Sequence, residues 1–198
     1  MHTSAARRFA AHYSRQASGS RVPSSLAEMR ACFPIVHEHT VEFRDLDAMQ
    51  HVNNATYFQI FEKARIAALS ALTRGKACFK PEGIAPVLAG TWCRFRRPLE
   101  IDDKLLIGVR ADSILPARGE FEHHYVVWSS QHHGVAAQGG ATIVVCDFDN
   151  GAKRTPLPDN WVRAWFSNCA CHVRHSSSAD SASCTGARAG PSDGGAVC

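Results

Sequence analysis

The chain is predicted to be α+β, with one long helix wrapped by an antiparallel sheet of about five strands, on three observations. Apolar residues fall three and four apart from Asn54 to Leu72, the spacing of a helix with one buried face. Four runs rich in Val, Ile, Thr and aromatic residues follow, separated by Pro98, Pro116, Arg118-Gly119 and His133-Gly134. A shorter alternating run precedes the helix. A helix with one apolar stripe needs cover, and an antiparallel sheet has one apolar face to give, so curling the sheet around the helix buries both.

In order, "IVHEHTVEFR" reads as the first strand from Val36 onward, with His37, His39, Val41 and Phe43 on one side. A polar turn leads to the helix, whose stripe is Tyr57, Ile60, Phe61, Ala64, Ala68, Ala71 and Leu72, with Gly75 where a C-cap belongs. The runs "APVLAGTWCRFRRPL", "KLLIGVRADSIL", "GEFEHHYVVWSS" and "VAAQGGATIVVCDFD" supply four strands. Pro158 and Asp159 open a short last helix in "PDNWVRAWF". This order, β, long α, four β, describes a hotdog fold.

At 198 residues, 45% hydrophobic and 20% charged, the chain has room for one ordinary domain, placed at residues 34–168. The formal charge of +4 is accounted for within residues 1–30, where Arg7, Arg8, Arg15, Arg21 and Arg30 face Glu28 alone. The remainder is neutral, which removes the electrostatic footing for a nucleic-acid partner. "MHTSAARRFAAHYSRQASGSR" is rich in Arg, Ser and Ala, lacks acidic residues and has no apolar core of a secretory signal, so residues 1–30 are expected to be an import presequence and the protein mitochondrial. The alternative is a disordered basic tail on a cytoplasmic protein. Residues 169–198 are Ser, Ala and Gly with few large apolar side chains and are expected to be disordered. No apolar run is long enough to span a membrane.

Eight cysteines form no disulfide framework, because Cys32, Cys78, Cys93 and Cys146 are scattered and the other four lie in or beside the tail. "CAC" lacks zinc-site spacing, and "CHVRH", with Cys171, His172 and His175, stands beside the Ser-rich tail; no metal and no cofactor is expected. His123-His124 and His132-His133 are neighbours on a strand or turn, point apart, and are expected to be exposed.

The chemistry concentrates in "RDLDAMQHVNNATYFQIFEKAR", residues 44–65. Asp47, His51, Val52, Asn53, Asn54, Tyr57, Phe61, Glu62, Ala64 and Arg65 make the pattern D-x-x-x-x-H-V-N-N-x-x-Y-x-x-x-F-E-x-A-R. It resembles the acyl-CoA thioesterase family of hotdog proteins, the group of 4-hydroxybenzoyl-CoA thioesterase, and "FRRPLEIDDKL" is similar to that family's strand, Pro turn and next strand. The resemblance implies an enzyme that hydrolyses a fatty acyl-CoA or related thioester, working as a homodimer or homotetramer whose sites lie between subunits. An acyl-binding or assembly protein without turnover is the second reading, and a 3-hydroxyacyl thioester dehydratase ranks last, since its only turn histidine, His51, sits inside the thioesterase pattern.

Thioester hydrolysis needs a group that attacks or activates water, donors for the developing oxyanion, and a groove for the acyl chain. Asp47, just ahead of the helix, can serve as general base or nucleophile, the work its counterpart does in the family. The helix N-terminus supplies unpaired N–H groups, with that of Asn54 aimed at the thioester carbonyl. His51 either orients Asp47 or bonds within the turn, Asn53 is the N-cap, and Asp45 reads as a solvated turn residue. Glu62 is the reserve base, since some hotdog relatives use a helix glutamate, and it also stands three residues from Arg65. Tyr57 and Phe61 line an acyl tunnel or fill the core. Arg94 and Arg96, sharing a strand face opposite Arg97, are candidates for the phosphates of coenzyme A, or else charges that protect an edge strand. Where the family has Gly before the His, this chain has Gln50, which matters if that position requires a positive φ.

Overall fold

The computed structural model describes residues 22–72 and 83–168. Its elements are α1 (Leu26–Cys32), β1 (Ile35–Thr40), α2 (Asn54–Leu72), β2 (Ile84–Phe95), β3 (Lys104–Leu115), β4 (Glu120–Ser129), β5 (Gly134–Asp147), β6 (Lys153–Arg154) and α3 (Asp159–Asn168). The sheet is antiparallel, in the order β1-β3-β4-β5-β2, with the two-residue β6 added alongside β5. Around α2 it has the arrangement that the sequence predicts. The Gly75 cap, most of the presequence, Cys78 and the tail with Cys171, His172 and His175 lie outside the described residues.

The inner face of the sheet and the stripe of α2 form the main core. Tyr57, Ile60, Phe61, Ala64 and Ala68 of the helix pack with Leu105, Ile107, Val109, Phe121, Tyr125, Val127 and Ile143. Phe61 stacks on Tyr125 with ring centroids 4.7 Å apart. A Cβ on Gly139 would come within 2.4 Å of the Phe61 ring, so helix and β5 meet only because that strand position has no side chain.

Three expectations are corrected here. Residues 26–30, assigned to the presequence, belong to α1: Ser25 caps it, its side chain accepting from the Glu28 N–H, and Met29 and Phe33 are buried against Val126, Trp128 and Val135 on the outer face of the sheet. The boundary expected near residue 30 therefore cuts a packed helix. His123 and His124, expected to be exposed, are both buried: they do point apart, but α2 lies over one face of β4, and the other face is buried as well. The first strand also ends at Thr40, and Phe43 sits exposed in a 3-10 turn, Phe43–Asp45.

Candidate active site

The segment between β1 and α2 is a stitched loop. Beyond Thr40, Val41 donates its N–H to the carbonyl of Asp103 (3.0 Å), and Glu42 and Asp45 cap each other's backbone around the 3-10 turn. Asp45 is buried, which corrects its reading as a solvated residue. Its Oδ2 lies 2.9 Å from Nε2 of His39 and accepts the Glu42 N–H at 3.0 Å. Its carbonyl accepts the N–H of Asn53 at 2.9 Å.

Inside that frame, Leu46 and Val52 form a β-bridge, and Asp47 to His51 close the turn. The Asp47 N–H donates to His51 O (2.9 Å), and the Gln50 N–H donates to Asp47 O (3.0 Å). Gln50 has φ +62°, so the position where the family has Gly does require the left-handed region. The Val52 N–H donates to Leu99 O at 2.9 Å, fastening the turn to the segment between β2 and β3.

Asp47 is half-buried; its Oδ1 accepts the Met49 N–H at 2.8 Å, while Oδ2 meets no donor among the described residues. Asn53 is the N-cap, its Oδ1 accepting the Ala55 N–H at 2.8 Å. The N–H of Asn54 meets no acceptor among the described residues, so the helix opens with one donor available beside the turn that carries Asp47. The ring of His51 makes no hydrogen bond to Asp47.

The other named residues separate. Tyr57 and Phe61 are core residues: Tyr57 is edge-on to Phe95 at 4.9 Å, and burial pushes its phenol pKa well above the usual range. Glu62 lies on the solvent side of α2, 3.8 Å from Arg65. Arg65 turns inward, beside Tyr125, whose hydroxyl burial pushes up to about 12, and near His123, which burial holds down to about 3.

Gly139 faces Phe61, so its strand neighbour Gln138 faces the outer side, and with it the cross-strand partner Arg94. Arg96 donates two bonds to Gln138 Oε1 (2.7 and 3.1 Å), and Arg97 donates one to His132 O. Arg96 and Arg97 are thus committed to partners at the start of β5 and in the turn before it. Asp103 went unnoticed in the sequence; fully buried, it accepts from Ser129 Oγ (2.5 Å) and the Gln131 N–H (3.1 Å), and holds the ends of β3 and β4 together. Among the described residues no group of three or more His, Cys, Asp or Glu is placed to hold a metal ion.

A carboxylate with one free oxygen, held in a closed turn before a helix whose first N–H is open, on a hotdog scaffold, is an arrangement that suits a thioester hydrolase, the class to which the family match assigns the chain. The chain belongs to the thioesterase-like superfamily, whose model matches residues 41–166. Among solved structures it is similar to a thioesterase of Thermus thermophilus, crystallised with coenzyme A and Zn, at 25% identity and a TM-score of 0.62 over 72% of this chain and 98% of that one. A 1,4-dihydroxy-2-naphthoyl-CoA thioesterase of Synechocystis shares the fold at 19% identity and TM-score 0.58, covering 67% of this chain and 95% of that one. So does the DHNA-CoA thioesterase of Staphylococcus aureus, at 17% identity and TM-score 0.59, covering 67% and 89%.

Proposed function

We propose that the chain hydrolyses acyl-CoA thioesters with Asp47 as the group that activates water or attacks directly, and with the Asn54 N–H as oxyanion donor. The observation that carries this is a free Asp47 Oδ2 in the closed turn that leads directly into an open helix N-terminus at Asn54. As general base, the carboxylate takes a proton from water as the water oxygen bonds to the thioester carbon. The carbonyl electron pair moves onto oxygen, where a preorganised N–H is worth about 3 kcal/mol. Collapse expels the CoA thiolate, which takes up a proton. As nucleophile, Asp47 bonds to the thioester carbon and expels the CoA thiolate, leaving a mixed anhydride that water opens to the free acid and the carboxylate; solvent oxygen enters the Asp47 carboxylate by this route alone, when water attacks the aspartyl carbon.

The reading extends to a homodimer. Among the described residues β2 pairs with β5 alone, leaving a 12-residue edge, and Ile84, Leu88 and Phe95 on that strand are exposed. Pairing two such edges brings a second chain beside Tyr57, Phe95 and the turn, and is the arrangement in which Arg94 of one subunit could approach a site on the other. Residues 1–21, Arg-rich and without acidic residues, support a mitochondrial location.

The test is hydrolysis of short, long and aromatic acyl-CoAs by the full chain, followed as free thiol, beside Asp47→Asn. Turnover that falls by about 10²- to 10⁴-fold in the variant, with the dimer intact, is expected. Wild-type rates in Asp47→Asn would move the role to Glu62. A folded wild type inert toward every acyl-CoA would favour the non-catalytic acyl-binding reading.

A further inference from the structure

We propose that His39 and Asp45 are positioning residues for this reaction, and that their pair sets the spacing between the Asp47 carboxylate and the Asn54 N–H; this rests on the reading of Asp47 and Asn54 above. Asp45 stands at one root of the turn, two residues before Asp47, and its carbonyl takes the N–H of Asn53, the residue before Asn54, at 2.9 Å. One peptide unit thus ties together the two strands of chain that deliver the attacking group and the oxyanion donor. The hydroxyl of Thr56, in the first turn of α2, reaches the same carbonyl at 3.4 Å.

What holds Asp45 in place is its own side chain. The carboxylate is pinned at 2.9 Å to His39, which faces inward from β1 opposite Leu105, and at 3.0 Å to the Glu42 N–H. The side chains of His39 and Asp45 are each 10% exposed, so water cannot replace a lost partner cheaply. β1 is itself fixed to β3 over six residue pairs, from Ile35↔Val109 to Thr40↔Lys104, so the chain of contacts runs from the rigid sheet through His39 and Asp45 to both halves of the site. Without His39, the buried carboxylate keeps one backbone donor and is driven to rotate toward water. The carbonyl of Asp45 then moves, and displacement of about 1 Å between reacting groups costs on the order of 10² in rate.

His39→Leu removes the donor, whereas His39→Gln keeps an amide N–H near the position of Nε2. Each is compared with wild type and Asp47→Asn for kcat, KM and melting temperature, and for amide hydrogen exchange at Asp47 and Asn53. The expected result is a fall in kcat of about 10- to 100-fold in His39→Leu with KM changed less than about threefold, largely restored in His39→Gln. Exchange at Asp47 and Asn53 should rise together while β4 and β5 stay protected. Wild-type kcat in His39→Leu would overturn the proposal, and so would a loss shared equally by both His39 variants or one that only follows the fraction folded. Should the wild type be inert, or Asp47→Asn fully active, the reading of the site fails on its own evidence; unchanged exchange in His39→Leu would then overturn the positioning role as well.

Discussion

The two faces of the sheet are built by the same device to different lengths. On the inner face, a 19-residue helix packs so closely that Phe61 occupies the space a side chain at 139 would need. On the outer face, the seven-residue α1 does likewise: a Cβ on Gly108 would meet the Phe33 Cβ at 2.7 Å and the Met29 Cε at 3.0 Å. β4 shows the result, with Phe121, His123, Tyr125 and Val127 buried on one side and Glu122, His124, Val126 and Trp128 on the other. An antiparallel sheet can leave one face to water; this one buries both along β4. The inner cover is continuous with the turn that carries Asp47, whereas the outer one is a short element that precedes it and touches none of the residues proposed for the chemistry. Stability and catalysis should therefore separate between the faces.

Removing α1 tests that separation most severely. Deleting residues 1–33 strips Met29 and Phe33 from Leu106, Val126, Trp128 and Val135, and also removes the Phe33 ring from beneath the Arg110 guanidinium, 5.1 Å from its centroid. At roughly 1.5–3 kcal/mol for each large buried side chain, a loss of about 3–6 kcal/mol in unfolding free energy is expected. Deletion of residues 1–21, which keeps α1, is the reference truncation. Equal stability of the two truncations by chemical denaturation would show that the outer cover is dispensable.

The histidines of β4 sharpen the comparison at a smaller magnitude. His123 faces inward and is held down to about 3 by burial, with Arg65 and His124 adding to the effect. An unfolded chain protonates that histidine near 6.5 and the folded chain only near 3, so between these values the unfolded state binds more protons and acid favours unfolding. From pH 7 to pH 5 the expected loss is about 2 kcal/mol, and His123→Phe should flatten it. His124, on the outer face, is also lowered by burial, but Asp112 at 3.8 Å opposes that shift, so His124→Phe should flatten the curve less. The reverse order would mean that the outer face is the drier one.

The sequence made α2 legible because its stripe repeats over about five turns, and Asn54–Leu72 is where the spacing placed it. β3 runs from Lys104 to Leu115 as its apolar run does, and β4 and β5 depart from theirs by at most two residues. α1 was not legible. Two turns offer only Leu26, Met29 and Phe33 as a pattern, and the Arg-rich segment before them biases the reading toward a leader. Asp45 was misjudged for a related reason: its burial comes from His39, six residues earlier across a bend, and no local periodicity records such a contact. Alternation placed His123 and His124 on opposite faces, but exposure depends on what covers each face, which is a tertiary fact. The candidate site fared better, because a helix start, its cap and the turn before it are all local: Asn53 caps and the Asn54 N–H is open, as the order of residues suggests. Arg94 and Arg96 were placed on a common strand face, opposite Arg97, yet only the structure shows Arg96 committed to Gln138.

The turn at Gln50 belongs to neither face and gives the finest test. Its φ of +62° puts a residue with a long side chain in the left-handed region, which costs on the order of 1 kcal/mol relative to Gly at such a position. The Gln50 side chain is exposed, and no hydrogen bond of its amide holds the turn among the described residues. Gln50→Gly should therefore raise stability by up to about 1 kcal/mol, less whatever entropy Gly adds to the unfolded chain. It should leave the acid sensitivity of His123 and the cost of removing α1 unchanged, since Gln50 shares no hydrogen-bond partner with His123 or with α1 among the described residues. The turn would be better held with Gly, so kcat should stay within about twofold of wild type, measured beside the melting temperature. A large fall in kcat with a rise in stability would give the Gln50 side chain a direct part in substrate recognition, and the departure from Gly would then be a functional choice instead of a tolerated strain.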